Sequence, residues 1–238
     1  MRLQLQNISI GYAKDKTVFE QISCVAEPGS LIILVGVNGI GKSTLLRTIS
    51  GLQPPTSGTI LMDNKPLQNF SVLERSKYLS LVLTERLIID SITVEEFIAL
   101  GRSPYTNWLG QLSALDKAEI KYTIDLLKIE KFQHKQFNRL SDGEKQKVLI
   151  ARALCQQASI LILDEPTAFL DYRNKKEILA LLAQIATGLN KIIILSTHDI
   201  NAALEYATHC WIMQEDKSFS VIGRESDFEQ QVLHCLKY

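Results

Sequence analysis

Leu31-Ile-Ile-Leu-Val35 runs directly into Gly36-Val37-Asn38-Gly39-Ile40-Gly41-Lys42-Ser43-Thr44, and this junction decides the fold. An Ile/Leu/Val run of this length, bounded by polar or glycine residues, reads as a strand buried on both faces, the mark of a parallel sheet covered by helices. The first eight residues after it fit GxxxxGK[ST], and a helical stretch, Thr44 to Ser50, follows at once. Glycines let the backbone fold around an anion so that successive N–H groups point inward. The helix adds its positive end. Lys42 is expected to bring a full charge to the β- and γ-phosphates of a nucleotide, and Ser43 a hydroxyl to Mg²⁺. A glycine-rich turn that happened to contain Lys-Ser would lack the strand and the helix on either side. The loop implies a nucleotide but not an enzyme class, because kinases and GTPases share it.

Two more buried runs repeat the design. Ile160-Leu-Ile-Leu163 ends in Asp164-Glu165, and Ile192-Ile-Ile-Leu195 ends in Ser196-Thr197-His198-Asp199. A buried strand cannot hold carboxylates cheaply, so they belong at its exit, where a cation compensates them. Asp164 is expected to hold Mg²⁺ through its water shell, and Glu165 to orient or deprotonate an attacking water. His198 is placed to meet the γ-phosphate and that water, with Asp199 available as a helix N-cap. Each run is followed by a helical pattern: Asn174 to Thr187 with Ile178, Leu181, Leu182 and Ile185 on one side, and Asn201 to Ala207. Strand, loop and helix in repetition argue for an α/β core.

Around this core the pattern changes. Leu3, Leu5, Ile8 and Ile10, then Val18 to Val25, then Thr59 to Met62 suggest a small antiparallel sheet. From about Glu85 to Gln156 the chain reads as helical: Thr93 to Leu100 with Ser91 or Thr93 at its start, Asp116 to Ile129 with Ile120, Ile124 and Leu127 on one face, and Asp142 to Cys155. Cys210 to Tyr238 reads as a hairpin and a short helix. The 238 residues carry 26 Lys+Arg against 26 Asp+Glu, so no net field draws nucleic acid or anionic lipid. Cys24, Cys155, Cys210 and Cys235 are scattered without a CxxC pair, as expected of reduced thiols rather than a zinc site or a disulfide framework. The N-terminus does not read as a signal peptide, and no apolar run approaches the ~20 residues that span a bilayer. Work at a membrane would need a partner to hold the chain there.

Leu140-Ser141-Asp142-Gly143-Glu144 settles the class. It precedes Asp164 and opens a helix that ends Ala151-Arg152-Ala153-Leu154. Ser141-x-x-Glu144 is by itself a capping box. The segment also resembles the LSGGQ signature of ABC ATPases, and the resemblance covers nearly the whole chain in the right order of motifs. Tyr12 matches the aromatic that stacks on adenine, and equally suits a strand end. Pro166-Thr167 follows the acidic pair, and Ala168-Phe169-Leu170-Asp171 matches the D-loop. The resemblance implies an α/β P-loop NTPase core of ABC type with a flanking antiparallel β-subdomain (residues 1–84 and 157–238) and an inserted helical subdomain carrying the signature (residues 85–156). It implies ATP and Mg²⁺ as ligands and two copies, head to tail. Lys42, Ser43, Asp164 and Glu165 of one copy would then face Ser141 and Gly143 of the other.

The chain departs from the family at two places, the subdomain junction and the signature. Its Gln at the junction of core and helical subdomain is Thr84 here, followed by Glu85. Thr84 offers one oxygen to metal or water with a shorter reach, and Glu85 can substitute if the loop shifts. The signature carries Asp142 for Gly and Glu144 for Gln, and a carboxylate near a γ-phosphate is unfavourable unless it points away. Val94-Glu-Glu-Phe-Ile-Ala-Leu-Gly101-Arg102-Ser-Pro104-Tyr105 resembles the importers of iron–siderophore, haem and cobalamin, although a generic helix followed by a proline turn would read alike. That resemblance implies an integral membrane permease, indirectly a substrate-binding protein, and a place on the cytoplasmic face of the inner membrane. A soluble ABC ATPase of the iron–sulfur assembly type, a weakly hydrolytic nucleotide switch and a small-molecule kinase remain as alternatives.

Overall fold

The computed structural model describes every residue except 13–15, 85–88, 90, 237 and 238. In chain order the strands are β1 (Leu3–Gly11), β2 (Thr17–Ala26), β3 (Leu31–Gly36), β4 (Ser57–Met62), β5 (Lys65–Pro66), β6 (Leu79–Val82), β7 (Ile160–Leu163), β8 (Ile192–Ser196), β9 (His209–Met213) and β10 (Phe219–Gly223). The helices are α1 (Lys42–Ile49), α2 (Val72–Tyr78), α3 (Val94–Ala99), α4 (Ala114–Leu126), α5 (Asp142–Cys155), α6 (Tyr172–Gly188), α7 (Ile200–Leu204) and α8 (Phe228–Cys235). Among the described residues one sheet has six strands in the order β10-β9-β3-β8-β7-β6, and the other runs β2-β1-β4-β5.

The three apolar runs form the centre of the larger sheet, paired in parallel. Successive side chains of a strand point to opposite faces, and the cores divide accordingly. Leu31, Ile33, Val35, Leu161, Leu163, Ile193 and Leu195 pack against α3 to α8. Ile32, Leu34, Ile160, Ile162, Ile192 and Ile194 pack against α1 and the antiparallel sheet. Burying each such side chain contributes roughly 1.5–3 kcal/mol, so charged groups are pushed out to the strand ends.

Four helices begin with the same device, a Ser or Thr whose hydroxyl accepts from an N–H three residues on while that residue's carboxylate returns the bond: Ser71–Glu74, Thr93–Glu96, Ser113–Asp116 and Ser141–Glu144. Thr93, not Ser91, therefore starts α3. Ser113 caps α4, which begins at Ala114, two residues before the expected Asp116, and Lys128 at φ 54° closes it early. Helix α7 stops at Leu204 rather than Ala207. Strand β6 and helix α2 have no counterpart in the sequence reading. α2 buries no residue, so it shows no apolar period, and β6 has four residues, one of them Ser80. Cys24, Cys155 and Cys210 are buried and free, and burial raises their thiol pKa values, that of Cys155 to about 11.

Candidate nucleotide site

The parallel strands end together. Leu163 lies opposite Val82 on one side and Leu195 on the other, and Leu34 lies opposite Ser196. Whatever follows these strands emerges on one edge: residues 36–44, Thr84, Asp164-Glu165 and Thr197-His198. In open parallel sheets, ligands bind at the carboxyl ends of the strands.

Gly41 caps α1 at φ 117°, in contact with the β1–β2 hairpin, where an added Cβ would stand 2.9 Å from Val18 Cγ1. Only glycine fits that backbone and that space. Val37, Asn38 and Gly39 form an exposed crest, Ile40 and Thr44 are buried, and Ser43 is half-buried. The first turn of α1 holds no acidic residue and no side-chain cap, so its positive end is left for an anion. Lys42 is 6% exposed, and its ammonium donates to the carbonyls of Gly36 (2.7 Å) and Val37 (3.2 Å). Burial lowers its pKa, and the negative charges of Glu165 and Asp164 oppose that shift. Tyr12 follows β1 and is 77% exposed. Ile10 and Val18 of the same hairpin reach Gly41.

Asp164 is 7% exposed, and Ser196 organises it. The Ser196 hydroxyl donates to Asp164 Oδ1 at 2.6 Å and accepts the Glu165 N–H at 2.9 Å. Sequence reasoning missed Ser196. Its signal was a polar residue ending an all-apolar strand in register with the acidic pair. Thr84 Oγ1 donates to the Asp164 carbonyl at 2.7 Å, so its proton is spent on the strand end and only its lone pairs face outward. Glu85, named above as a substitute, lies outside the described residues. Glu165 adopts φ 48°, a left-handed conformation that costs a non-glycine residue on the order of 1 kcal/mol. That turn brings Glu165 Oε1 to 2.5 Å from His198 Nε2. Asp164 and Glu165 also line a cleft of about 200 Å³ with Thr84, Asp142, Gln146 and Phe169.

The signature stands apart. Ser141 N and Oγ both donate to Glu144 Oε2 at 2.9 Å, and Glu144 N donates back to Ser141 Oγ at 3.3 Å. Hydrogen bonds from the Ser141 backbone, above all, hold the Glu144 carboxyl below its usual range. The carboxylate that replaces the family's Gln thus folds back onto its own cap. Gly143 is buried against Asn174. Asp171 caps α6 through the Asn174 N–H at 2.8 Å and also accepts Asn174 Nδ2 at 2.9 Å. Asp199, offered above as a cap, does not cap α7. Its carboxylate pairs with Lys175 instead.

A lysine under a glycine loop, an Asp-Glu pair two strands over and a His on the strand between them define a P-loop nucleoside triphosphatase with a helical insertion. The residues contributed by Ser141 to Glu144 lie on a separate helix start. The chain belongs to the ABC transporter family, whose model matches residues 19–168, and it is an ATP-binding subunit with ATPase chemistry. An uncharacterised ABC transporter ATP-binding protein of Methanocaldococcus jannaschii is 35% identical over 98% of this chain and 80% of that one. The ferric enterobactin transport ATP-binding protein of Escherichia coli is 31% identical over 91% of this chain and 79% of its own. A dimeric ATP-binding cassette in a post-hydrolysis state with ADP and Pi superposes with a TM-score of 0.73 at 26% identity, covering 88% of this chain and 93% of the other.

Proposed function

We propose that two copies of the chain close head to tail on two ATP molecules and drive import of an iron chelate through a membrane permease. The observation that carries this reading is the convergence of Lys42, Asp164, Glu165 and His198 on one sheet edge, while Ser141 and Gly143 sit on a helix start turned to other neighbours. One copy then supplies the phosphate cradle and the water-handling groups, and its twin closes the site with the signature, an isologous and closed arrangement. Lys42 exchanges its two loop carbonyls for phosphate oxygens. Tyr12 stacks on the adenine. Glu165, steadied by Ser196 and His198, orients the attacking water and accepts its proton. Positioning and fixed charge do the rest.

The residues present fit Mg²⁺. Among the described residues no group of three or more His, Cys, Asp or Glu side chains could hold an ion alone. That suits a cation bound by one or two protein oxygens together with substrate phosphates. Ser43 and Asp164 would hold it, with Thr84 contributing a lone pair. When bound, it neutralises phosphate charge. Replacing Thr84 with Gln is expected to keep or raise permease-coupled ATP hydrolysis, since the longer amide restores reach to the site. A severe loss of phosphate release would show that the Thr84 bond to Asp164 matters more.

Among the described residues no helix is long and apolar enough to cross a membrane, so the permease holds the chain at the inner face. Its docking surface is the apolar groove of Leu83, Phe97, Leu100 and Leu149, together with exposed Trp108 and Leu109. Leu100, 50% exposed, is expected to tolerate Glu with free-chain ATPase activity unchanged and with permease copurification lost. The function is tested by deleting the gene and measuring uptake of ferric chelates, with ATP hydrolysis assayed on the purified chain. Unchanged uptake would remove the cargo reading, and absent hydrolysis the enzymatic one.

A further inference from the structure

His198 occupies an exposed place for a residue that has to be exact. Its side chain is 46% exposed and that of Glu165 is 29% exposed, so packing alone does not fix the 2.5 Å contact between them. The segment around His198 is tied at both ends instead. On the inner side, Thr197 is 2% exposed and its Oγ1 accepts the Asp199 N–H at 3.0 Å. On the outer side, the Asp199 carboxylate leaves α7 uncapped and pairs with Lys175 Nζ at 3.0 Å. Helix α7 then hangs from the Asp199 carbonyl through the Ala203 N–H.

Lys175 belongs to the first turn of α6, where its own N–H is bonded to the Asp171 carbonyl at 2.9 Å. The preceding residue, Asn174, lies against Gly143 of the signature helix. One helical turn therefore touches the D-loop, the signature and the histidine segment.

We propose that Lys175 is a positioning residue for ATP hydrolysis: by holding Asp199 it keeps the His198 imidazole on Glu165. The proposal rests on the reading of Glu165 and His198 given above. A partly exposed ion pair contributes only about 0–1 kcal/mol to stability, so the pair matters little for folding. Geometry is different, because a misplacement of about 1 Å can cost on the order of 10²-fold in rate. A control lies one residue on. Lys176 Nζ pairs with Glu205 at 2.7 Å, also between α6 and the α7 region, but Glu205 does not adjoin His198.

The test is steady-state ATPase on the purified full-length chain, with thermal melting alongside. Lys175→Met is expected to lower kcat about tenfold, with KM for ATP and the melting temperature nearly unchanged. Asp199→Asn should match it, the double variant should be no worse, Lys175→Arg should recover most of the rate, and Lys176→Met should keep wild-type kcat. In a His198→Ala background Lys175→Met should have no further effect. A wild-type kcat for Lys175→Met, an effect confined to KM, or an equal loss in the His198→Ala background would overturn the proposal. If His198→Ala itself turns over normally, the role given to His198 falls and the tether with it, while ATP binding and hydrolysis by the chain stand.

Discussion

Glu165→Gln is expected to bind ATP with near wild-type affinity and to lose roughly 10²–10⁴ of its turnover, the range a positioned general base supplies. The substitution keeps the shape of the side chain and removes its basicity. The Glu165 main chain stays where Ser196 holds it, and Oε1 keeps an atom facing His198. Lys42 and the loop amides are untouched, so the phosphates are still held. Lys42 loses one of two negative neighbours that oppose the downward pull of burial on its pKa, and Asp164 remains. ATP then closes the two copies and nothing opens them, so the variant should sediment as a dimer with ATP while the wild-type chain returns to monomer. The measurements are nucleotide binding, phosphate release and sedimentation with Mg·ATP. Ordinary steady-state phosphate release would remove Glu165 from the chemistry.

The parts of this site that could be read from sequence share one property: their physical demand leaves few residue choices. Lys42 under its glycines and Asp164-Glu165 at a strand exit are such cases. So are the central strands β3, β7 and β8, because a strand buried on both faces must be a pure apolar run. Ser196 escaped notice because a serine at a strand end is ordinary in sequence, and its importance comes from a neighbour 32 residues away. Lys175 looks like any surface lysine until α6 is laid beside the His198 segment. Strand β6 joins the sheet only because β7 offers it an edge. Gly101-Arg102-Ser-Pro104-Tyr105, the segment that resembles the importers of iron chelates, has its arginine buried, a role in the frame that the resemblance did not announce.

That arginine carries the largest expected effect on stability. Arg102 and Asp116 have side chains 6% and 5% exposed, with Nε donating to Oδ1 at 2.8 Å. Arg102 Nη1 also donates to the Cys155 carbonyl at 2.7 Å and to Gln157 Oε1 at 3.0 Å, and the guanidinium lies 4.0 Å over the Tyr105 ring. Gly101 brings the segment so close that an added Cβ would stand 2.3 Å from the Arg152 carbonyl oxygen. Arg102 therefore fastens the turn after α3 to the last carbonyls of α5 and to the start of α4. Removing one partner of a buried pair leaves the other charge unpaired, at a cost of about 3–5 kcal/mol, so Arg102→Ala is expected to melt on the order of 10 °C lower than wild type. Adding Asp116→Asn should return part of that loss, because Asn leaves no buried charge and can still accept from Ser113. The pH dependence has a definite sign. The Ser113 hydroxyl first, then Arg102, holds the Asp116 carboxyl below its usual range against the opposing effect of burial. A depressed folded-state pKa gives stability that is complete above the ordinary carboxyl range, about 4, and is lost as pH falls through the folded value. Acid should therefore narrow the gap between wild type and Arg102→Ala. If Arg102→Ala instead melts like wild type at neutral pH but fails to support uptake, the residue belongs to the transport cycle and not to the frame that carries the signature helix.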